Sequence, residues 1–440
     1  VKLWLPVWIG PRGSAALAVL ALGAAIGSVG VPWPLAVAAA VVATVAAFAA
    51  DAASIAPTPA VERTIPANLM LARPATFTYT IVNRARVALR FAIFEAPIER
   101  IAVDIAPAAG SVQVGGRAIV TIAVLPRERG RTAAGIAFVW FESPLGLVRR
   151  RLRFGAPEEL CIRPDTAAIE RGGDLVQRRR LIDAGLRRVR RRGSGTEFES
   201  IREYAAGDPF RTIDWNATAR RGKLMVAQYE VERSQQIVVA LDAGRLMMPR
   251  LGDRRKLDYA ITAGLALAAL AGRAADRVGL YAFAAATLVS IAPRSGALHA
   301  AALSDALSDL APRFEESDYE NAALELRRRY RKRSFIVLFT DLFDPVASSA
   351  VLGSLALLAP QHLVLVVLLN DAAIDDARER EPADARAAYR AAVATSLAAQ
   401  RANAVAMLRR RGIGVVDVPA REMTLALLDA YVDVKTRSRL

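Results

Sequence analysis

The chain holds little material for side-chain catalysis. One cysteine, Cys161, occurs in 440 residues, which excludes an internal disulfide and a cysteine-built zinc site and suits a reducing compartment. The two histidines, His299 and His362, each stand alone, so a multi-histidine metal site, a histidine relay and a Ser-His-Asp triad are disfavoured. Neither a Gly-x-x-x-x-Gly-Lys loop nor a dinucleotide fingerprint is present, so the chain is not itself an obvious nucleotide-binding ATPase or dehydrogenase. Acid is scarce relative to base: 59 Lys and Arg against 43 Asp and Glu give a net charge of +16. An Ala/Arg-rich chain also arises from a GC-rich genome, so the charge alone implies only attraction to polyanions, anionic lipid head groups included.

Charge of either sign is missing from Ser14 to Ala50. That run is too long for one membrane span and predicts two helices, Ser14 to Val31 and Leu35 to Ala50, within residues 1–55. Gly30-Val31-Pro32-Trp33-Pro34 supplies the turn, because proline breaks a helix and Trp33 favours the interface. Lys2 and Arg12 precede the run, and Arg63 and Arg73 follow it. The positive-inside rule then places both termini and the soluble parts on the cytoplasmic side of the inner (cytoplasmic) membrane. A signal peptide would have a shorter apolar core that ends at a cleavage site.

Residues 56–165 change texture. Ala75 to Val82, Leu89 to Phe94, Ala118 to Leu125 and Gly135 to Phe141 are short β-branched or aromatic runs, punctuated by Asn83-Arg84, Gly110-Ser111, Gly115-Gly116 and Arg129-Gly130. They predict a small immunoglobulin-like β-sandwich, a spacer or interaction module. Residues 166–194 form a basic linker with arginine runs at 178–180, 187–188 and 190–192, opposed by Asp174 and Asp183. No aromatic residue interleaves these arginines, so stacking on single-stranded nucleic acid is unsupported, and a linker drawn to the anionic membrane surface is favoured over phosphate binding.

Residues 195–235 are the most unusual part of the chain. Glu197, Arg202, Glu203, Asp208, Arg211, Asp214, Arg220 and Glu230 carry both signs at short spacing around Tyr204, Phe210, Trp215 and Tyr229. A solvated charge run needs no aromatics, and a core strand does not tolerate the charges. Asp214 is placed to N-cap a short helix, and Gly207-Asp208-Pro209 reads as a turn in which Asp208 bonds back to the backbone. Pairs such as Glu203–Arg211 or Asp208–Arg220 would specify geometry more than they stabilise. The block is either a charged latch on the next domain or a recognition surface.

In residues 236–440 apolar strands alternate with helices. Ile237 to Asp242, Val278 to Phe283, Thr287 to Ile291, Phe335 to Thr340, His362 to Leu369 and Ile413 to Val418 read as strands. Leu257 to Ala275, Ala297 to Leu310, Tyr319 to Arg331, Ser348 to Leu358, Ala383 to Arg411 and Met423 to Val434 read as helices. This is an α/β, Rossmann-like domain with a mainly parallel sheet covered on both faces. Ligands in such sheets bind at the carboxyl ends of the strands, where Asp242 and Asp341 fall.

On EFESIREYAAGDPFRTIDWNATARRGKLMVAQYEVE, IVVALDAGRLM after it, and PRERGRTAAGIAFVWFESPLGLVRRR before it, the chain resembles a known family. These are the bacterial membrane-anchored proteins of domain of unknown function 58, whose C-terminal part is von Willebrand factor A-like. The resemblance implies a protein outside the enzyme classes, encoded beside MoxR-type AAA+ ATPases, that assembles or activates other complexes. It also implies where a metal would sit. The A-domain pattern is Asp-x-Ser-x-Ser, a later Thr and a later Asp, a set of oxygen ligands suited to Mg²⁺. Here Asp242 is followed by Gly244 and Leu246 in the Ser positions, no clear Thr equivalent stands near Glu316-Ser317-Asp318, and Asp341 matches the last position. What remains is a degenerate site at Asp242 and Asp341, with Asp344 nearby. The leading expectation is a non-enzymatic, membrane-tethered adaptor for protein partners. The alternatives are a basic anionic-lipid or nucleic-acid binder and, third, a metal-dependent hydrolase at Asp242, Asp341 and Asp344.

Overall fold

The structure is a computed structural model that describes residues 7–26, 33–165, 197–205, 208, 210–230, 235–342 and 345–436. The basic linker, the Gly30–Pro32 part of the expected turn, and Asp344 lie outside the described residues. The chain divides into two units, Val1–Arg163 and Pro164–Leu440.

The first unit begins with β1 (Val7–Ile9), followed by α1 (Pro11–Ile26) and α2 (Trp33–Ser54). Among the described residues one window, Val37–Ser54 in α2, is long and apolar enough to cross a membrane. α1 reaches Ile26, and residues 27–31 of the expected first span lie outside the described residues. Among the described residues, the second of the two expected spans has a candidate helix.

The remaining strands of this unit are β2 (Ala60–Thr64), β3 (Leu69–Met70), β4 (Ala75–Val82), β5 (Leu89–Glu95), β6 (Ile101–Val103) and β7 (Ala108–Val112). They continue with β8 (Arg117–Pro126), β9 (Gly130–Ala134), β10 (Ala137–Glu142), β11 (Val148–Phe154) and β12 (Glu158–Arg163). They form sheets in the orders β1-β11-β10-β5-β7, β2-β4-β8-β6 and β3-β12-β9. Strand alternation turns Phe77, Tyr79 and Ile81 of β4, Phe91 and Ile93 of β5, and Val139 and Phe141 of β10 into one shared core, which gives a β-sandwich-like unit. On β10 the alternate residues Phe138 and Trp140 lie under the Arg151 guanidinium, 5.4 and 5.7 Å from their ring centres.

The boundary expected at residue 55 does not separate helices from strands. β1 precedes α1 in the chain yet pairs with β11, Trp8 opposite Arg149. Gly10 then donates its amide to the Leu147 carbonyl at 2.7 Å. A Cβ at Gly10 would stand 2.3 Å from the Gly146 carbonyl oxygen, so the crossing needs glycine. The far end of α2 is fastened to the same turn. Asp51, 4% exposed, accepts from Ser143 Oγ at 2.5 Å and from the Leu145 and Leu147 amides at 3.2 and 3.1 Å. Arg150 donates to the carbonyls of Ile55 and Ala56, just past the helix, at 3.0 and 2.7 Å, and to Thr58 Oγ1 at 3.0 Å.

The second unit opens with an antiparallel hairpin, β13 (Glu197–Glu203) and β14 (Met225–Glu230), which encloses a 3-10 turn (Phe210–Thr212) and α3 (Trp215–Arg221). Next come β15 (Gln236–Asp242), a small ribbon of β16 (Arg250–Leu251) and β17 (Arg254–Arg255), α4 (Lys256–Arg273), β18 (Arg277–Phe283) and β19 (Thr287–Arg294). They are followed by α5 (Ala297–Ser308), α6 (Tyr319–Arg329), β20 (Phe335–Thr340), α7 (Pro345–Leu358) and β21 (Leu363–Asn370). The chain closes with α8 (Ala372–Glu379), α9 (Ala385–Arg410), β22 (Gly414–Pro419) and α10 (Met423–Thr436).

The main sheet has the order β19-β18-β15-β20-β21-β22. Its strands are parallel except at the β18–β19 edge. Alternate residues of β15 face opposite ways. Ile237, Val239 and Leu241 pack with α4, α5 and α10, whereas Val238 and Ala240 pack with α6, α7 and α9. The central strands β15 and β20 thus end between two helical layers, β15 on Asp242 and β20 one residue before Asp341.

Candidate functional site

Two places gather the residues singled out in the sequence. The first is the hairpin. Asp214 N-caps α3, its Oδ1 accepting the Asn216 and Ala217 amides at 3.0 Å each. Gly222 ends the helix at φ 66°, where a side chain would be strained. Asp208 accepts the Ala205 amide at 2.9 Å and takes both arms of Arg202, at 2.8 and 2.6 Å. Glu203 pairs with Lys223 at 2.9 Å. Among the described side chains, Asp208 and Glu203 thus pair with Arg202 and Lys223. The strand register lays Glu203 opposite Met225, within reach of Lys223, and the bend after Tyr204 folds Asp208 back onto Arg202. The Arg220 side chain is exposed, and the side chains of Glu197 and Arg211 lie outside the described residues.

The hairpin buries Ile213, Met225 and Val226 and leaves other apolar side chains in solvent. Tyr204 stacks on Phe210 at 5.9 Å between ring centres. Phe210 is 76% and Trp215 67% exposed, and Leu224 and Ile201 are also exposed. Arg221 and Lys223 are exposed beside them.

The second place is the carboxyl edge of the main sheet. Asp242 is fully buried and all its contacts are neutral. Oδ1 accepts the Gly244 amide at 2.8 Å and Ser317 Oγ at 2.5 Å, and Oδ2 accepts Tyr319 Oη at 2.7 Å and Thr340 Oγ1 at 2.8 Å. Burial, reinforced by the Asp242 charge, pushes the Tyr319 phenol well above its usual range. Asp341, also fully buried, is held by cations. Its Oδ2 pairs with the Lys256 ammonium, and its Oδ1 with Arg401 Nη1 at 2.7 Å and the Leu342 amide at 2.8 Å. Arg401 also binds Asp417 Oδ1 through Nε and Nη2, at 3.1 and 2.8 Å. Burial works to lower the Arg401 pKa, but Asp341 and Asp417 outweigh it and the net shift is upward.

These residues do not fit a divalent ion. Among the described residues no cluster of three or more His, Cys, Asp or Glu is placed to hold a metal, and the oxygens of both aspartates already carry donors. Gly244, in a serine position of the A-domain pattern, leaves room for another residue's hydroxyl. A Cβ there would stand 2.1 Å from Ser317 Oγ. Lys256 and Arg401 were not anticipated. Arg401 did carry a signal, since it shares a helical stripe with the buried Ala394, Ala404, Val405 and Leu408, and a cation on such a stripe needs a buried partner. Beside Arg401 and Asp417 lies a cleft of about 180 Å³, below the roughly 300–1,000 Å³ of small-molecule sites.

Fold and site together define a mixed α/β protein with a β-sandwich-like unit and, among the described residues, one helix long and apolar enough to cross a membrane. Residues 200–412 match the family described as "Protein of unknown function DUF58". The chain is 27% identical over 181 residues to the uncharacterized proteins Rv1480 of Mycobacterium tuberculosis (strain ATCC 25618 / H37Rv) and Mb1516 of Mycobacterium bovis. The match covers 41% of this chain and 56% of each relative, so the chain spans about half the length of these relatives. Among solved structures it is similar to the conserved hypothetical protein BatB from Bacteroides thetaiotaomicron, with 12% identity, 46% of this chain, 100% of that chain and a TM-score of 0.30. A PapD-like domain of human CEP192 is similar over 23% of this chain and 85% of that one, at 16% identity and a TM-score of 0.18.

Proposed function

We propose that the protein is a non-enzymatic, membrane-tethered adaptor that offers its hairpin to a protein partner, a MoxR-type AAA+ ATPase in the first instance. The C-terminal domain is of the von Willebrand factor A kind. Its strand order, with one antiparallel edge strand and aspartates ending the two central strands, supports that reading. In this reading the apolar α2 is the tether, and the excess of basic residues after it supports a cytoplasmic position for the soluble parts. The hydrolase alternative is weakened because Asp242 and Asp341, which would activate a water, are committed to internal donors.

One observation carries the docking role. Phe210 and Trp215 stand in solvent on an element where Glu203, Asp208 and Asp214 are met by Lys223, Arg202 and the backbone. Aromatic residues flanked by arginine are the usual anchors of protein interfaces. The test is pull-down of the tagged full chain from its own cells, solubilised in mild detergent, beside a Phe210→Ala/Trp215→Ala variant. The expected result is an AAA+ ATPase bound to the wild type, with at least about a tenfold loss in the double variant and an unchanged melting temperature. If the wild type brings down no such ATPase, the named partner is wrong. Equal recovery by the variant would remove the hairpin from the interface.

A further inference from the structure

We propose that Lys256 and Arg401 are resident counter-ions of Asp341, so that this edge of the sheet runs on side-chain cations where an A-type site would hold a divalent ion. The inference rests on placement and charge and is independent of the adaptor reading.

The charges are equivalent. One ammonium and one guanidinium supply the two positive charges that a divalent ion would bring, and both meet on Asp341. They arrive from opposite layers. Lys256 is the first residue of α4, whose apolar side packs on one face of the sheet. Arg401 projects from α9, whose Ala404, Val405 and Leu408 pack on the other. Asp341, at the end of β20, is the point where the two layers are tied across the sheet. Asp417 on β22 takes the remaining arms of Arg401.

The neighbouring aspartate closes off the other half of a metal site. Asp242 is satisfied by an amide and three hydroxyls. Ser317 occupies the space that a side chain at position 244 would need. A divalent ion entering here would have to expel Lys256 from Asp341 and so separate two buried charges. It would also shed its own water, which Mg²⁺ does reluctantly. Stranding a buried charge is among the costliest changes a fold can suffer. The edge is therefore cation-independent: it neither gains order from divalent ions nor loses it to chelators.

The experiment uses the purified full chain in detergent, with Mn²⁺ as the probe. Binding is followed by the electron paramagnetic resonance signal of free Mn²⁺, and stability by thermal melting with Mn²⁺, Mg²⁺ or EDTA. The wild type is expected to leave Mn²⁺ free and to melt at the same temperature in all three. Lys256→Ala is expected to melt lower by roughly 10 °C, the size of effect that follows from leaving Asp341 short of a cation. A charge-balanced Lys256→Met/Asp341→Asn variant is expected to recover more than half of that loss, which keeps the test decisive if the single variant fails to fold. Stoichiometric uptake of Mn²⁺ by the wild type would overturn the proposal. So would a Lys256→Ala protein as stable as the wild type, or a double variant no better than the single one.

Discussion

The hairpin and the carboxyl edge of the main sheet are both built from paired charges, and they use them in opposite ways. On the hairpin the Lys223 and Glu203 side chains are 69% and 65% exposed, and Arg202 and Asp208 are partly exposed. Water competes for each of these ions, so such pairs bring little net stability and mainly favour one geometry. At the sheet edge Lys256 and Asp341 are 3% and 0% exposed, and no water replaces a partner that is lost. Spacing and sign in a sequence look alike in the two cases. Solvent access decides whether a charge pair is a preference or a requirement.

The contrast breaks most sharply by deletion. Arg401→Ala leaves Asp341 and Asp417 short of their shared cation and is expected to cost about 3–5 kcal/mol, read as a shift of the denaturation midpoint. The matching hairpin changes, Arg202→Ala and Lys223→Ala, are expected to leave that midpoint in place. An equal loss at both sites would erase the distinction. A smaller effect is expected at Gly244. Gly244→Ala forces its new methyl toward Ser317 Oγ and is expected to cost about 1–3 kcal/mol. Adding Ser317→Ala should recover part of it, and the double-mutant cycle measures the coupling.

The smallest expected effect is acid sensitivity at His362. This residue is buried, and neither ring nitrogen has a partner among the described residues. Burial first, and the Arg327 charge second, lower its pKa from the ordinary 6.5. The folded state therefore favours the neutral ring. Its contribution is present above 6.5 and is lost as the pH falls through the lowered folded value. Denaturant midpoints at about pH 7.5 and 5.5 should differ more for the wild type than for His362→Leu. Equal differences would show that other groups carry the acid response.

Much of the α/β unit was legible because its strands are continuous apolar runs. IVVALD, FIVLFT and HLVLVVLL fall on β15, β20 and β21. α8 was missed because its eight residues carry few apolar ones, and Asp371 starts it by capping the Ala373 amide. The sandwich was half legible. β4, β5, β8 and β10 advertise themselves, but β11 reads VRRRLRF, and its Arg150 is buried only because helix-end carbonyls receive it. β13 was hidden in the same way, since EFESIRE carries charges along its length and its pairing with β14 includes a register shift between Phe198 and Ser200. At the site, Asp242 and Asp341 could be placed at strand ends from the sequence. Their partners could not, because Lys256, Ser317 and Arg401 come from three separate parts of the chain and meet only through the packing of both helical layers.

The fastening of α2 has a mechanical consequence within the first unit. A helix joined to a sheet by one flexible residue swivels about the joint. α2 is gripped on two sides, Asp51 by the β10–β11 turn and the Ile55–Ala56 carbonyls by Arg150. β1, next to α1, is stitched into the same sheet. Helix and sandwich therefore turn together. If α2 is rotated about its axis, the sandwich presents a different side, and a pull on the sandwich reaches the helix as torque instead of being lost as slack in a linker.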